Sequence, residues 1–185
     1  MHEVEVKAVL EDTNGFVERL MEYGCELGPE ILQQDTVFVR ETGSVAVYLS
    51  NPDFLRLRVE DGERTLFTFK HHPMRVADTD AAPLELEVEV SSREAMEKIL
   101  LLMGYQEAVS VTKRRRKGAY KGWEVCVDEV DGLGSFVELE EMVATRDNVA
   151  TIQKRMTDFL LELGVDAGKR FKDRYDILLL EKREA

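Results

Sequence analysis

Residues 2–7 read His2-Glu3-Val4-Glu5-Val6-Lys7. Side chains of an extended strand alternate between faces, so Glu3, Glu5 and Lys7 share one face while Val4 and Val6 share the other. The device returns at residues 84–90, Leu-Glu-Leu-Glu-Val-Glu-Val, where Glu85, Glu87 and Glu89 share a face. A helix pattern follows each strand. Residues 13–23 carry the stripe Phe16, Val17, Leu20 and Met21, with Thr13 as a cap and Gly24 as a stop. Residues 92–103 carry Ala95, Met96, Ile99 and Met103, with Ser91 and Glu94 at capping-box spacing and Gly104 after them.

Outward from these two units the chain reads mainly as strands. Strands are expected at 32–40, 54–60, 64–70, 107–117, 123–130 and 135–142, with a short one at 45–49 before the turn signal Asn51-Pro52. Asp61-Gly62-Glu63 and Lys121-Gly122 have hairpin-turn chemistry. Residues 71–82, which include Pro73, read as a loop. The last third is helical: Ile152, Met156, Phe159, Leu160 and Leu163 recur at helical spacing, and a final helix is expected over 168–182. The repeated plan suggests a duplication, with halves of about 1–82 and 83–185 in a single domain spanning 1–185. Any two strand–helix units look alike at this level, so coincidence stays open. Two such halves can close into one antiparallel β-barrel with helices packed outside, an α+β fold.

The polar faces of the strands are sorted by sign. One strand offers Glu3, Glu5 and Lys7; a hairpin offers Arg56 and Arg58 against Thr68 and Lys70; later strands offer Lys113, Arg115 and Lys117, then Asp128, then Glu138 and Glu140. A single alternating strand of this kind is ordinarily one face of a sheet in water. The set is different, because the opposite faces are Val, Leu and Phe, which the amphipathic helices can cover. Charges turned inward need partners. A polyphosphate with a divalent cation supplies both: Arg and Lys hold phosphate oxygens, and carboxylates hold Mg²⁺ or Mn²⁺.

Bulk properties narrow the class. A chain of 185 residues suits one domain, and a hydrophobic fraction of 44% is that of a globular protein. The formal charge of −12 argues against a general nucleic-acid binder. No apolar run suits a bilayer span, and the charged first strand is unlike a signal peptide, so a cytoplasmic protein with no membrane partner is expected. Cys25 and Cys126 stand apart, without metal-type spacing, and Cys126 reads as buried and inert.

The ordered motifs resemble the CYTH superfamily, named for class IV adenylyl cyclases and thiamine triphosphatases. Glu3-Val4-Glu5-Val6-Lys7 resembles its Glu-x-Glu-x-Lys signature. Gln33-Gln34-Asp35-Thr36-Val37-Phe38 resembles its Gln-x-Asp-x-Tyr-Phe stretch, with Val37 where an aromatic residue is common. Arg56-Leu57-Arg58, Thr68-Phe69-Lys70, Glu85 to Glu89, Lys113-Arg114-Arg115, and Val127 to Glu140 follow in the family's order. With Val37, two further departures bear on nucleotide specificity. No basic residue stands at Ala81-Ala82-Pro83, and Arg174-Tyr175-Asp176-Ile177-Leu178 only partly matches the cyclase-like Ser-Tyr-x-Asp/Glu-Leu-Leu.

The resemblance implies an eight-stranded antiparallel barrel, the triphosphate tunnel, and roles for residues. Glu3, Glu5, Glu87, Glu138 and Glu140 would be metal ligands. Lys7, Arg56, Arg58, Lys70, Lys113 and Arg115 would bind the triphosphate. Glu3, Glu5, Lys7 and Asp128 would be the catalytic set, Asp128 positioning metal or a cation. Either Mg²⁺ or Mn²⁺ would serve. Three functions are compatible: a class IV adenylyl cyclase converting ATP to cyclic AMP and pyrophosphate, an inorganic or thiamine triphosphatase releasing the terminal phosphate, and a non-catalytic nucleotide or polyphosphate binding module. A homodimer is one expected assembly. Outside the motif series, Arg114 and Arg116 fall on the face opposite Lys113 and Arg115 and read as a solvated strand end. Trp123 reads as wall packing and Tyr175 as packing or ligand contact. His71-His72 reads as loop, and Lys172 as helix surface or a residue at the tunnel mouth.

Overall fold

The computed structural model describes residues 2–51, 53–71, 84–145, 148–166, 170–171 and 174–185, without the side chains of residues 2, 71, 84, 170 and 171. His72 to Pro83 and Lys172 lie outside the described residues. The elements run in the order β1(His2–Leu10), α1(Thr13–Glu22), β2(Ile31–Val39), α2(Val45–Ser50), β3(Asp53–Glu60), β4(Arg64–His71), β5(Leu84–Val90), α3(Arg93–Leu102), β6(Gln106–Tyr120), β7(Trp123–Val130), β8(Gly134–Val143), α4(Val149–Glu162), β9(Arg170–Phe171), α5(Tyr175–Glu184). The chain forms two compact units. Unit 1 takes residues 1–31 and 113–173, and unit 2 takes residues 32–112 and 174–185, with β6 running through the boundary.

In unit 1 the strand order is β6-β7-β8-β1-β9, with antiparallel pairing. Alternation along β1 puts Val4, Val6, Ala8 and Leu10 on one face, where they meet Phe16 and Leu20 of α1 and Met156, Phe159 and Leu160 of α4. Burying each large apolar side chain there contributes roughly 1.5–3 kcal/mol. Tyr120 stacks on Phe159 at 4.5 Å between ring centroids, and the Trp123 ring lies 5.7 Å from Phe159, so Trp123 is packing. A Cβ at Gly118 would sit 2.7 Å from the Glu26 carbonyl oxygen, which is why glycine stands where the segment after α1 crosses β6.

In unit 2 the order is β5-β4-β3-β2-β6. Asp61 and Gly62 both have positive φ, the geometry of the tight β3–β4 hairpin turn. Phe38, Leu55 and Leu57 turn to Leu100 and Tyr105, at α3 and just beyond it.

The fold is α+β with an antiparallel sheet of eight long strands plus the two-residue β9. The expected eight-stranded antiparallel sheet is present; its order is linear, and among the described residues no pairing closes it into a ring. Two of the five helices, α2 and α5, pack at one end of a charged face. Tyr48 of α2 and Ile177 of α5 pack on Val37, Val39, Phe54 and Val109, which share the face of Asp35, Arg56 and Arg58. These apolar residues at one end of the charged face need cover, and two helices supply it.

Four local expectations are corrected. Residues 45–50 form α2 rather than a strand: Ser44 caps Val47 N–H, and the apolar spacing of Val45 and Tyr48 suits a single turn packed on one side. The cap of α1 is Asp12, whose carboxylate accepts from Gly15 N–H at 2.9 Å, not Thr13. The cap of α3 is Ser92, accepting from Ala95 N–H at 3.1 Å, not Ser91. The last helix starts at Tyr175, after the extended Arg174, because Arg170 and Phe171 are drawn into pairing with Lys7 and Ala8 of β1.

Candidate metal and phosphate site

Opposite its apolar core, unit 1 carries a charged face whose rows are set by strand register. Glu5 stands opposite Glu140, and Glu140 opposite Glu124. Two residues along, Lys7 stands opposite Glu138, Glu138 opposite Cys126, and Cys126 opposite Lys117. Arg115 stands opposite Asp128.

The deeper part is a compact ion cluster. Asp128, fully buried, accepts from Lys113 Nζ at 3.2 Å and from Arg115 Nε at 2.6 Å. Glu138 accepts from Lys7 Nζ at 2.8 Å through one oxygen and from Arg115 Nη2 through the other. Three cations thus face two carboxylates in a buried place. Arg115 Nη1 has no hydrogen bond to protein among the described residues. Burial alone would raise the Glu138 carboxyl, but Arg115, Lys7 and Lys113 hold it well below the usual carboxylate range. Burial would likewise lower Arg115; Asp128 and Glu138 outweigh it and keep the guanidinium charged.

The adjoining part has the opposite sign. Glu3 and Glu5 are exposed on β1. Glu140 is half-buried, accepts no hydrogen bond, and has no cation at ion-pair distance among the described residues. Burial, then Glu138, Glu3 and Glu124, push its carboxyl up to about 7, with Arg115 opposing. Glu124 is held by Lys117 at 2.7 Å, and Cys126 Sγ lies 3.5 Å from Glu124 Oε1. Burial pushes the Cys126 thiol far up, so it is not ionised. A partly buried carboxylate among other carboxylates and without a cation is a donor set suited to a hard divalent ion, which takes oxygen ligands. The residues present therefore fit Mg²⁺ or Mn²⁺.

Unit 2 has a charged face of its own. Arg58 makes a two-pronged pair with Asp35, both contacts at 2.7 Å. Arg56 Nη2 donates to Thr68 Oγ1 at 3.0 Å and reaches Glu87 at 3.4 Å, while Thr68 Oγ1 donates to Glu87 at 2.9 Å. Lys70 pairs with Glu85 at 2.9 Å and Arg64 with Glu89 at 2.9 Å. Among the described residues, Arg56 Nε is buried with no acceptor. Burial, then the neighbouring Arg58, lower its pKa. A buried, unaccepted guanidinium N–H is a costly state that an anion would relieve.

Of the residues singled out by sequence, Glu3, Glu5, Lys7, Lys113, Arg115, Asp128, Glu138 and Glu140 share the charged face of unit 1. Arg56, Arg58, Lys70 and Glu87 share that of unit 2. Among the bystanders, Arg114 faces Glu30 and Asp131 at the surface, and Arg116 donates to the Leu27 and Gly28 carbonyls. Sequence reasoning missed Glu124 and the pairing role of Asp35. Alternation in Trp123-Glu124-Val125-Cys126-Val127-Asp128 was the available signal for the first, because it puts Glu124, Cys126 and Asp128 on one face.

Fold and charge together define an antiparallel-sheet protein of α+β class whose strands carry charged faces sorted by sign. The chain matches the CYTH domain over residues 1–175 and belongs to that family. A candidate adenylate cyclase of Methanocaldococcus jannaschii is 26% identical over 175 residues, 95% of this chain and 97% of that protein. A Pyrococcus horikoshii protein superimposes with a TM-score of 0.78 at 28% identity, covering 98% of this chain and all of that one. A Hippeastrum protein, a candidate adenylyl cyclase with a dominant triphosphatase activity, superimposes with a TM-score of 0.63 at 15% identity, covering 98% and 96%. No helix among the described residues is long and apolar enough to cross a membrane.

Proposed function

We propose that this protein is a divalent-metal-dependent enzyme acting on a triphosphate, first as a class IV adenylyl cyclase forming cyclic AMP and pyrophosphate from ATP. The observation that carries the reading is the change of sign along the unit 1 face, from the cation-rich Lys7, Lys113 and Arg115 cluster to Glu140 beside Glu5, which has no ion-pair partner among the described residues. The adenylate cyclase name of the M. jannaschii relative supports the cyclase reading.

In unit 1, Glu3, Glu5, Glu138 and Glu140 would hold Mg²⁺ or Mn²⁺, and on the face of unit 2 Glu87 is a separate candidate carboxylate ligand; a bound ion would supply Lewis-acid polarisation of phosphoryl oxygens. Lys7, Lys113 and Arg115 bind the phosphate chain, Arg115 through its remaining Nη1 edge. Asp128 acts by orienting Lys113 and Arg115, so that donors are fixed before substrate arrives. On the face of unit 2, Arg56, Arg58 and Lys70 are candidate phosphate contacts of their own, Arg56 through Nε. These groups neutralise charge that develops on phosphoryl oxygens, and no side-chain nucleophile takes part.

Hydrolysis of the terminal phosphate is the second reading, supported by the activity of the Hippeastrum relative. Product analysis with ATP, GTP, tripolyphosphate and thiamine triphosphate, each with Mg²⁺ and with Mn²⁺, separates the two. Cyclic AMP with pyrophosphate from ATP establishes the cyclase, and free phosphate establishes the hydrolase. Binding without product from any substrate leaves a binding module. Glu5→Gln is expected to abolish turnover while sparing triphosphate binding, and an unchanged rate removes Glu5 from the site.

A further inference from the structure

We infer that Cys126, Glu124 and Glu140 form a binding site for a thiophilic divalent cation of the zinc–cadmium kind, which gives the carboxylate row a sulfur ligand. The inference rests on the metal-binding reading of Glu140 given above. It adds Glu124 and Cys126, which that reading leaves out.

The site is built by register. Residues two apart on β7 share a face, which puts Glu124 beside Cys126, and the next strand places Glu140 opposite Glu124. Their donor atoms, one from each residue, all lie within 4.8 Å of one another. Cys126 Sγ is 3.5 Å from Glu124 Oε1. An ion bound at about 2.3 Å from sulfur and about 2.1 Å from oxygen spaces its ligands by roughly 3.5 Å. The thiol and Glu124 already meet that spacing; the cation takes the place of Lys117 Nζ, 2.7 Å from the same Glu124 oxygen, and Glu140 completes the set by a side-chain adjustment. Glu140 is also the carboxylate without a hydrogen-bond donor or ion-pair partner among the described residues, so a cation there displaces nothing from it. Glu-x-Cys on one strand with Glu from the next is not a zinc spacing in sequence; strand register alone brings the three together.

Ligand chemistry then sorts the ions. Mg²⁺ takes oxygen and leaves the thiol protonated, whereas Zn²⁺ and Cd²⁺ take thiolate. On binding, the S–H proton leaves to solvent and an S–metal bond forms in its place, with no redox change. A thiophilic ion held here occupies Glu140 and inhibits the Mg²⁺- or Mn²⁺-supported reaction.

The test is titration of the full chain with Cd²⁺, read by the ultraviolet thiolate-to-cadmium charge-transfer band, beside Mn²⁺ binding read by electron paramagnetic resonance. A saturable band in the wild type, absent in Cys126→Ser, is expected. Glu124→Gln, a half-buried position where folding is less at risk, should weaken Cd²⁺ about ten-fold. No band in the wild type, or a band retained in Cys126→Ser, overturns the inference; if Mn²⁺ still binds in either case, the metal reading of Glu140 survives. Absent Mn²⁺ binding with an intact, Cys126-dependent cadmium band overturns that reading instead and upholds the sulfur site.

Discussion

Lys7 Nζ lies 2.8 Å from Glu138 Oε1, with both side chains less than a tenth exposed. The partner strands are far apart in sequence, so the pair ties the first strand to the eighth through charge as well as backbone. Its arrangement sets the first prediction. Glu138→Gln keeps the shape and removes the charge, leaving Lys7, Lys113 and Arg115 against Asp128 alone. Breaking a buried pair in this way should cost about 3–5 kcal/mol in urea unfolding at pH 7. The sign with pH follows from the depressed carboxyl of Glu138. Its contribution is complete above the unfolded pKa of about 4.3 and is lost as pH falls through the lower folded value. Wild type and variant should therefore converge in acid.

Glu140 behaves in the opposite sense. Its carboxyl is pushed up to about 7, so the folded protein holds that proton more tightly than the unfolded chain. Stability is full below the unfolded pKa and falls as pH rises toward 7, where the ionised group lacks a counter-charge. Glu140→Gln removes this cost. The variant should be more stable than wild type at pH 8 by on the order of 1–3 kcal/mol and equal to it near pH 4. Adding Mn²⁺ should stabilise the wild type and leave the variant nearly unmoved, as thermal melts would show.

Arg56→Lys separates affinity from stability. The lysine removes the buried Nε–H that has no acceptor among the described residues, so the substrate-free protein should not be weakened in urea. The same change removes the planar fork, and tripolyphosphate affinity by calorimetry should fall about ten-fold. Equal affinity for the two proteins would take Arg56 out of the phosphate contacts.

The unequal legibility of these features has physical causes. β1 could be read directly because a side-chain period of two is a local property, and Glu3-Val4-Glu5-Val6 displays it without reference to the rest of the chain. The Arg58–Asp35 fork and the Glu124–Glu140 adjacency depend on register between strands, which single-strand patterns leave open. Residues 45–50 misled because Val45, Val47 and Tyr48 favour strands by propensity. The Ser44 cap and packing on Val39 and Phe54 decide for helix instead. Closure is not legible for a related reason: alternation shows that a strand has two faces, not whether its sheet meets itself.

The lock on α5 was hidden in the same way, since Tyr48 and Asp176 lie 128 residues apart. Tyr48 Oη donates to Asp176 Oδ2 inside unit 2. Arg174 Nε and Nη2 donate to the same carboxylate at 3.1 and 2.9 Å, and the guanidinium lies 4.4 Å from the Phe54 ring centroid. Burial, then Asp176, push the Tyr48 hydroxyl far up, so it stays a donor at every working pH. Tyr48→Phe deletes one hydrogen bond and should cost about 1–2 kcal/mol. Asp176→Ala leaves the Arg174 charge and the Tyr48 hydroxyl without their acceptor and should cost about 3–5 kcal/mol. Because the two side chains share one interaction, the double variant should lose less than the sum of the singles. Hydrogen exchange should quicken first in α5, while the helices of unit 1 keep their protection. Additive losses, or exchange that quickens throughout, would show that Tyr48 and Asp176 are separate core residues and that α5 is held by Ile177 and its apolar neighbours alone.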